Sequence, residues 1–241
     1  IAAMIFIIKA LMNCGYSRHP LKLVLAGDEE TAHIKSGLSD ILVEQLRGSR
    51  AVFTLETGNM DNSLVVGRKG GMIINIEVNG IAAHTGNAPE KGRSAVSELV
   101  RKLVLFDELN SIEDGLLVNI GTIAGGTGAN VFAEKASALI GVRYSKVNQK
   151  QAVLSQIEKI CRKNLIDGTK TYWSEKGGFP PMEDTSANYA LFELIQQSAA
   201  ELGMRQFKSA VVGGASDSAY AVLAGVPVVC ALGPIGDGSH S

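Results

Sequence analysis

Across 241 residues, 23 Lys and Arg oppose 24 Asp and Glu, a formal net charge of −1. That balance offers no basic surface for nucleic acid or an anionic membrane. A hydrophobic content of 46% with 20% charged residues is that of an ordinary globular protein of one or two domains. The three cysteines, Cys14, Cys161 and Cys230, are odd in number and far apart. They fit neither a disulfide framework nor a Cys-rich zinc site, and they favour a reducing, cytoplasmic setting.

The chain opens IAAMIFIIKALMNCG. Ile1, Met4, Ile5, Ile8, Leu11 and Met12 recur at helical spacing and predict a buried helix over residues 1–13. The run is too short to span a bilayer and lacks the basic start and cleavage site of a signal peptide. Residues 21–30, LKLVLAGDEE, form an apolar run ending in Asp28, Glu29 and Glu30, which predicts a buried strand over 21–26. A helix near 38–47 and a strand over 50–56 (RAVFTLE) follow, the latter ending in Glu56. This is the rhythm of a parallel α/β sheet.

The middle reads differently. Residues 72–78 (MIINIEV) alternate as a half-buried strand. Residues 94–109 predict an amphipathic helix with Val96, Leu99, Val100, Leu103 and Val104 on its buried stripe. Strands over 116–123 and 136–144 are joined by the loop GGTGAN, a second helix covers 149–164, and a short strand 170–174 closes the set. The order β-α-β-β-α-β is the split βαβ arrangement of ferredoxin-like domains. After Pro180 and Pro181 the α/β rhythm resumes: helix 186–202, strand 207–212, helix 217–224, strand 226–232. The expected organisation is a small αβ sandwich, residues 69–180, inserted into an α/β domain built from 1–68 and 181–241.

Chemistry gathers at strand ends. Ligands bind α/β sheets beyond the carboxyl ends of their strands. Glu30, Glu56 and His240 each follow an expected strand. If those strands run parallel, the three side chains share one edge. Carboxylates with an imidazole suit Zn²⁺, or Mn²⁺ and Co²⁺ as substitutes. Glu29, beside Glu30, is placed to take a proton from a metal-bound water, or simply to stabilise a helix N-terminus. His84, in AAHTGNAPEKG, can hydrogen-bond a substrate carbonyl or stand as an exposed loop residue. Asn130 closes the glycine loop. Arg143, in a strand expected to be half-buried, calls for a carboxylate from the protein or from a substrate. Gly213, Gly214, Ser216 and Asp217 form a glycine turn that either presents N–H groups to a carboxylate or caps a helix. His19 and His33 have no recognisable partners and read as surface residues. GRKG, residues 67–70, is too short for a phosphate loop.

In order, DEE, LETG, RKG, AAHTGNAPEKGRSAV, GGTGAN, GVRYS, GGASDSAYA and GSHS together resemble the co-catalytic dizinc exopeptidases and deacylases. That family includes glutamate carboxypeptidase, acetylornithine deacetylase, succinyl-diaminopimelate desuccinylase and aminoacylase; the glutamate carboxypeptidase branch matches best. The resemblance implies a zinc-exopeptidase-like, mostly parallel sheet flanked by helices, with an inserted lid and dimerisation domain. It implies two zinc ions, with Glu30 and His240 on one and Glu56 on the other, and Glu29 as general base. His84 would reach the partner subunit's site and help hold the oxyanion. Asn130 and Arg143 would contact the substrate's carboxylate end, and residues 213–216 would add backbone contacts. The implied activity is hydrolysis of a peptide or N-acyl amino acid next to a free carboxylate by a homodimer; alternatives are an N-acyl amino acid deacylase or a non-catalytic scaffold. The family's H-x-D motif and bridging Asp are not in this chain, and both ends read as cut. The 241 residues alone are therefore expected to be inactive, with metal absent or singly occupied.

Overall fold

The computed structural model describes residues 1–236 and divides into two compact units, Ile1–Arg68 with Met182–Ser241, and Lys69–Pro181. His240 lies outside the described residues.

The second unit is built on a four-stranded antiparallel sheet. Strands β3 (Gly70–Asn79), β4 (Leu117–Gly125), β5 (Lys135–Tyr144) and β6 (Lys170–Phe179) lie in the order β4-β5-β3-β6. Helices α3 (Ala95–Asp107) and α4 (Val147–Arg162) cover one face. Alternation decides which face: Met72, Ile74, Ile76 and Val78 of β3, and Ala138, Ile140 and Val142 of β5, meet Leu99, Leu103 and Phe106 of α3 and Val153 and Ile157 of α4. Helix α3 starts where the Ser94 hydroxyl accepts from Ser97 N–H at 3.1 Å. Its buried stripe differs from the expected one. Val100 and Val104 are 50% and 56% exposed, whereas Glu98 and Lys102 are fully buried beside Leu99 and Leu103.

In the first unit, β1 (Val52–Phe53) pairs in parallel with β8 (Val228–Val229), and β2 (Ser63–Arg68) in parallel with β7 (Lys208–Val212). Val65 and Cys230 join the two pairs by reciprocal backbone bonds of 3.0 and 2.9 Å. β2 is buried on both sides. Leu64 and Val66 meet Leu191 and Phe192 of α5 (Ser186–Glu201), while Val65 meets Ala219 and Ala221 of α6 (Ser218–Leu223). The strand expected over 21–26 is not formed. No ladder covers residues 21–27, and Leu21, Leu23 and Leu25 are exposed. An apolar run becomes a strand only where a neighbour satisfies its backbone, and among the described residues no strand pairs with this one. Helix α1 (Ala2–Asn13) forms as expected but has no buried residue. Helix α2 (Ser39–Leu46) buries only Leu42.

Candidate functional site

The acidic turn of the first unit is a single 3-10 turn, Glu29–Thr31, entered at Asp28 and left through Ala32 and His33. Ala32 and His33 both hold positive φ, 51° and 56°. For L-residues that costs about 1–2 kcal/mol each, so something must hold the turn. His33 does. It is 2% exposed rather than a surface residue. Its Nδ1 lies 2.6 Å from Asp28 Oδ1 and its Nε2 2.6 Å from Asp217 Oδ1. The ring meets Tyr220 edge-on at 5.6 Å, and the Ser36 hydroxyl donates to the second oxygen of Asp28. A neutral imidazole carries one N–H, so two such contacts favour the charged ring. Burial pulls His33 down, but its hydrogen bonds to Asp217 and Asp28 outweigh that and raise it. Ser36 and then His33 hold Asp28 below the usual carboxylate range. Asp217 is raised, because its own burial exceeds what His33 returns.

Glu29 sits inside this turn, part-buried. Burial, and then the charges of Glu56, Asp217 and Glu30, push its carboxyl up to about 7. The structure therefore gathers Glu29, Glu30, Glu56 and Asp217 in one electrostatic neighbourhood of the first unit. The order of placement is not the expected one: Glu30 follows an unpaired segment, and Glu56 lies three residues past the short β1. Glu56 is fixed through its carbonyl, which accepts from Gly233 N–H at 2.8 Å. Among the described residues no three His, Cys, Asp or Glu side chains come together to hold a metal ion. The carboxylate crowding is suited to a hard or borderline cation, yet the donors described do not complete a centre.

The glycine turn after β7 is anchored from two sides. Arg68, at the end of β2, donates from Nη1 to the Gly214 carbonyl at 3.0 Å and from Nε to Cys230 Sγ at 3.4 Å. Ser216 is buried, its hydroxyl 2.7 Å from that of Ser218. Its hydroxyl therefore faces the interior. Asp217 precedes α6 without a side-chain cap bond, because its carboxylate goes to His33. Gly213 and Gly214 are exposed.

In the second unit, His84 and Asn130 are brought together. Thr85 N–H donates to the Asn130 carbonyl at 2.9 Å, and residues 84 and 131 bridge. His84 Nδ1 accepts from Gly86 and Asn87 N–H at 3.1 and 3.2 Å. In the neutral ring the proton is then on Nε2. Arg143 is exposed, on the sheet face opposite the helices. It has no carboxylate partner among the described residues. Its guanidinium lies over Gly71, its cross-strand neighbour, where any Cβ would collide with it. Asn130 lies beyond the Lys135 end of β5, and Arg143 stands eight residues along it, roughly 26 Å away at a strand's rise. The structure does not bring these two together within one copy.

The fold is shared with solved peptidase structures. It matches an aminopeptidase PepT from Bacillus cereus with a TM-score of 0.72, at 19% identity over 92% of this chain and 58% of that one. A tripeptidase from Staphylococcus aureus matches with a TM-score of 0.71, at 19% identity over 95% and 60%. Residues 66–169 match the peptidase dimerisation domain of the M20 family. A probable carboxypeptidase from Paracoccidioides brasiliensis is 38% identical over 162 residues, 61% of this chain and 35% of its own length. Carboxypeptidase G2 from Pseudomonas sp. is 25% identical over 225 residues, 89% of this chain and 51% of its own. Residues 66–169 are thus similar to the M20 peptidase dimerisation domain, and the wider chain is similar to curated carboxypeptidases. It spans about a third to a half of the curated relatives it matches.

Proposed function

We propose that the protein carrying these residues is a zinc-dependent hydrolase of an amide bond, in a peptide or an N-acyl amino acid, next to a free carboxylate. The observation that carries this reading is the gathering of Glu29, Glu30 and Glu56 around a turn tied to the glycine loop by His33. Glu29 takes the proton of the attacking water, and Glu30, Glu56 and His240 belong to the metal centre. The relatives' names, carboxypeptidase among them, support the peptidase side of the reading. The exposed guanidinium of Arg143 suits the substrate's carboxylate, and His84 Nε2–H suits a developing oxyanion.

The separation of Asn130 from Arg143 supports a homodimer joined through the inserted unit. One small substrate cannot span about 26 Å, so the Asn130 and Arg143 that meet one substrate come from different copies. Three free cysteines favour the cytoplasm, and among the described residues no helix is long and apolar enough to cross a membrane.

The test is hydrolysis by the complete protein of dipeptides and N-acyl amino acids, each beside its carboxamide. The free acids should be cleaved, chelation should abolish turnover, and zinc should restore it. Glu29→Gln should lower kcat by about 10²–10⁴-fold. Arg143→Ala should raise KM by roughly tenfold or more, as loss of a charged hydrogen bond does. Equal cleavage of acid and carboxamide would overturn the carboxylate requirement. The 241-residue chain alone, whose described donors do not complete a metal centre, should not turn over substrate.

A further inference from the structure

Residues 21–27, which lead into the acidic turn, have no ladder partner. The side-chain bonds that hold the turn itself lie on its downstream side. His33 ends the turn and is buried, with one ring nitrogen on Asp28, at the turn's entry, and the other on Asp217, 184 residues along the chain. One ring thus closes the turn on itself and fastens it to a second segment. That segment is rigid in its own right: Arg68 holds the Gly214 carbonyl at 3.0 Å, Ser216 is buried against Ser218, and Cys230 lies beneath both. Asp217 gives up the cap bond that its place before α6 would allow. Ala32 and His33 adopt a left-handed backbone that glycine would hold more readily. Both departures from local preference have the same beneficiary, the contact between the two segments. Glu29 lies between the two tethered points, Asp28 and His33.

We propose that His33 is a positioning residue, a clamp that fixes Glu29 by fastening its turn to the glycine loop through Asp28 and Asp217. It touches no reacting atom, and its role rests on the reading of Glu29 as proton acceptor. A proton acceptor must lie within hydrogen-bond reach of its water, and displacement by about 1 Å can cost on the order of 10²-fold in rate.

The test uses the complete protein. His33→Gly removes the ring while relieving the left-handed backbone, so the fold should survive. His33→Asn tolerates the same backbone and can reach one carboxylate but not both. Expected for His33→Gly is a kcat about 10–100-fold lower, KM within about threefold, unchanged zinc content, and faster amide exchange at residues 28–33. His33→Asn should fall between it and the wild type. Adding Asp217→Asn to His33→Gly should lower kcat no further, because the clamp is already open. A His33→Gly kcat within twofold of wild type overturns the proposal even if exchange rises. Loss of zinc in step with activity overturns it in favour of a role in metal binding, and additive effects with Asp217 overturn the shared clamp. A wild type that hydrolyses no substrate overturns the hydrolase reading and this role with it; an active wild type with an active His33→Gly overturns this role alone.

Discussion

Single residues carry most of what can be checked without a substrate. Cys14 is exposed, whereas Cys161 and Cys230 are buried. Burial, only partly opposed by Lys102, pushes the Cys161 thiol up to about 12. Since the thiolate is the reactive form, one equivalent of a thiol reagent should be consumed quickly by the native chain and three after denaturation. Fast reaction of a second thiol would contradict the buried placements. The acidic turn was legible in the sequence because three like charges after an apolar run are conspicuous on their own. His33 was not. Its meaning lies in Asp217, 184 residues away, and a lone histidine in a polar stretch gives no sign of that partner. The Ser216 hydroxyl shows a related limit: the residue type announces a polar role, but only the fold decides which way the side chain faces.

At the scale of elements, α3 is the instructive case. Lys102 Nζ donates to the Cys161 carbonyl at 2.9 Å and to Thr171 Oγ1 at 2.7 Å, and lies 3.2 Å from Glu98 Oε1. Glu98 in turn accepts from Leu165 and Ile166 N–H. The pair therefore ties α3 to the end of α4 and the start of β6. Removing one partner strands a buried charge, so Lys102→Met should cost about 3–5 kcal/mol in denaturant unfolding. The double change Glu98→Gln with Lys102→Met should cost less than that. A cost for Lys102→Met below about 1 kcal/mol would mean the pair behaves as a surface one. Periodicity alone put Val100 and Val104 inside and these two outside, because a hydropathy pattern assigns no burial to charges that satisfy each other. The strands show the converse error. LKLVL looked like a core strand and has no ladder partner among the described residues, while SLVVGR, at the centre of the first unit, was assigned no element.

At the scale of the whole molecule, the helix–strand order of residues 69–181 carried its topology because both strands of every ladder in that sheet lie within the unit. The 17 buried residues of its core come from that stretch alone. A chain of residues 69–181 should therefore unfold cooperatively by itself, as followed by circular dichroism in urea; a gradual, non-cooperative loss of ellipticity would count against it.

The parallel ladders of the first unit have a temporal consequence. Val52 pairs with Val228 and Ser63 with Lys208, so its early and late segments cannot meet until the intervening chain exists. Closing a flexible loop of that length costs about 4 kcal/mol in chain entropy. Once the inserted unit has folded, its two ends emerge beside Arg68 and Met182, which are joined by a backbone bond of 2.8 Å, and most of that loop has been shortened in advance. The insert then acts as an internal template during synthesis. The acidic turn is made early, but His33 waits for Asp217, 184 residues further along the chain.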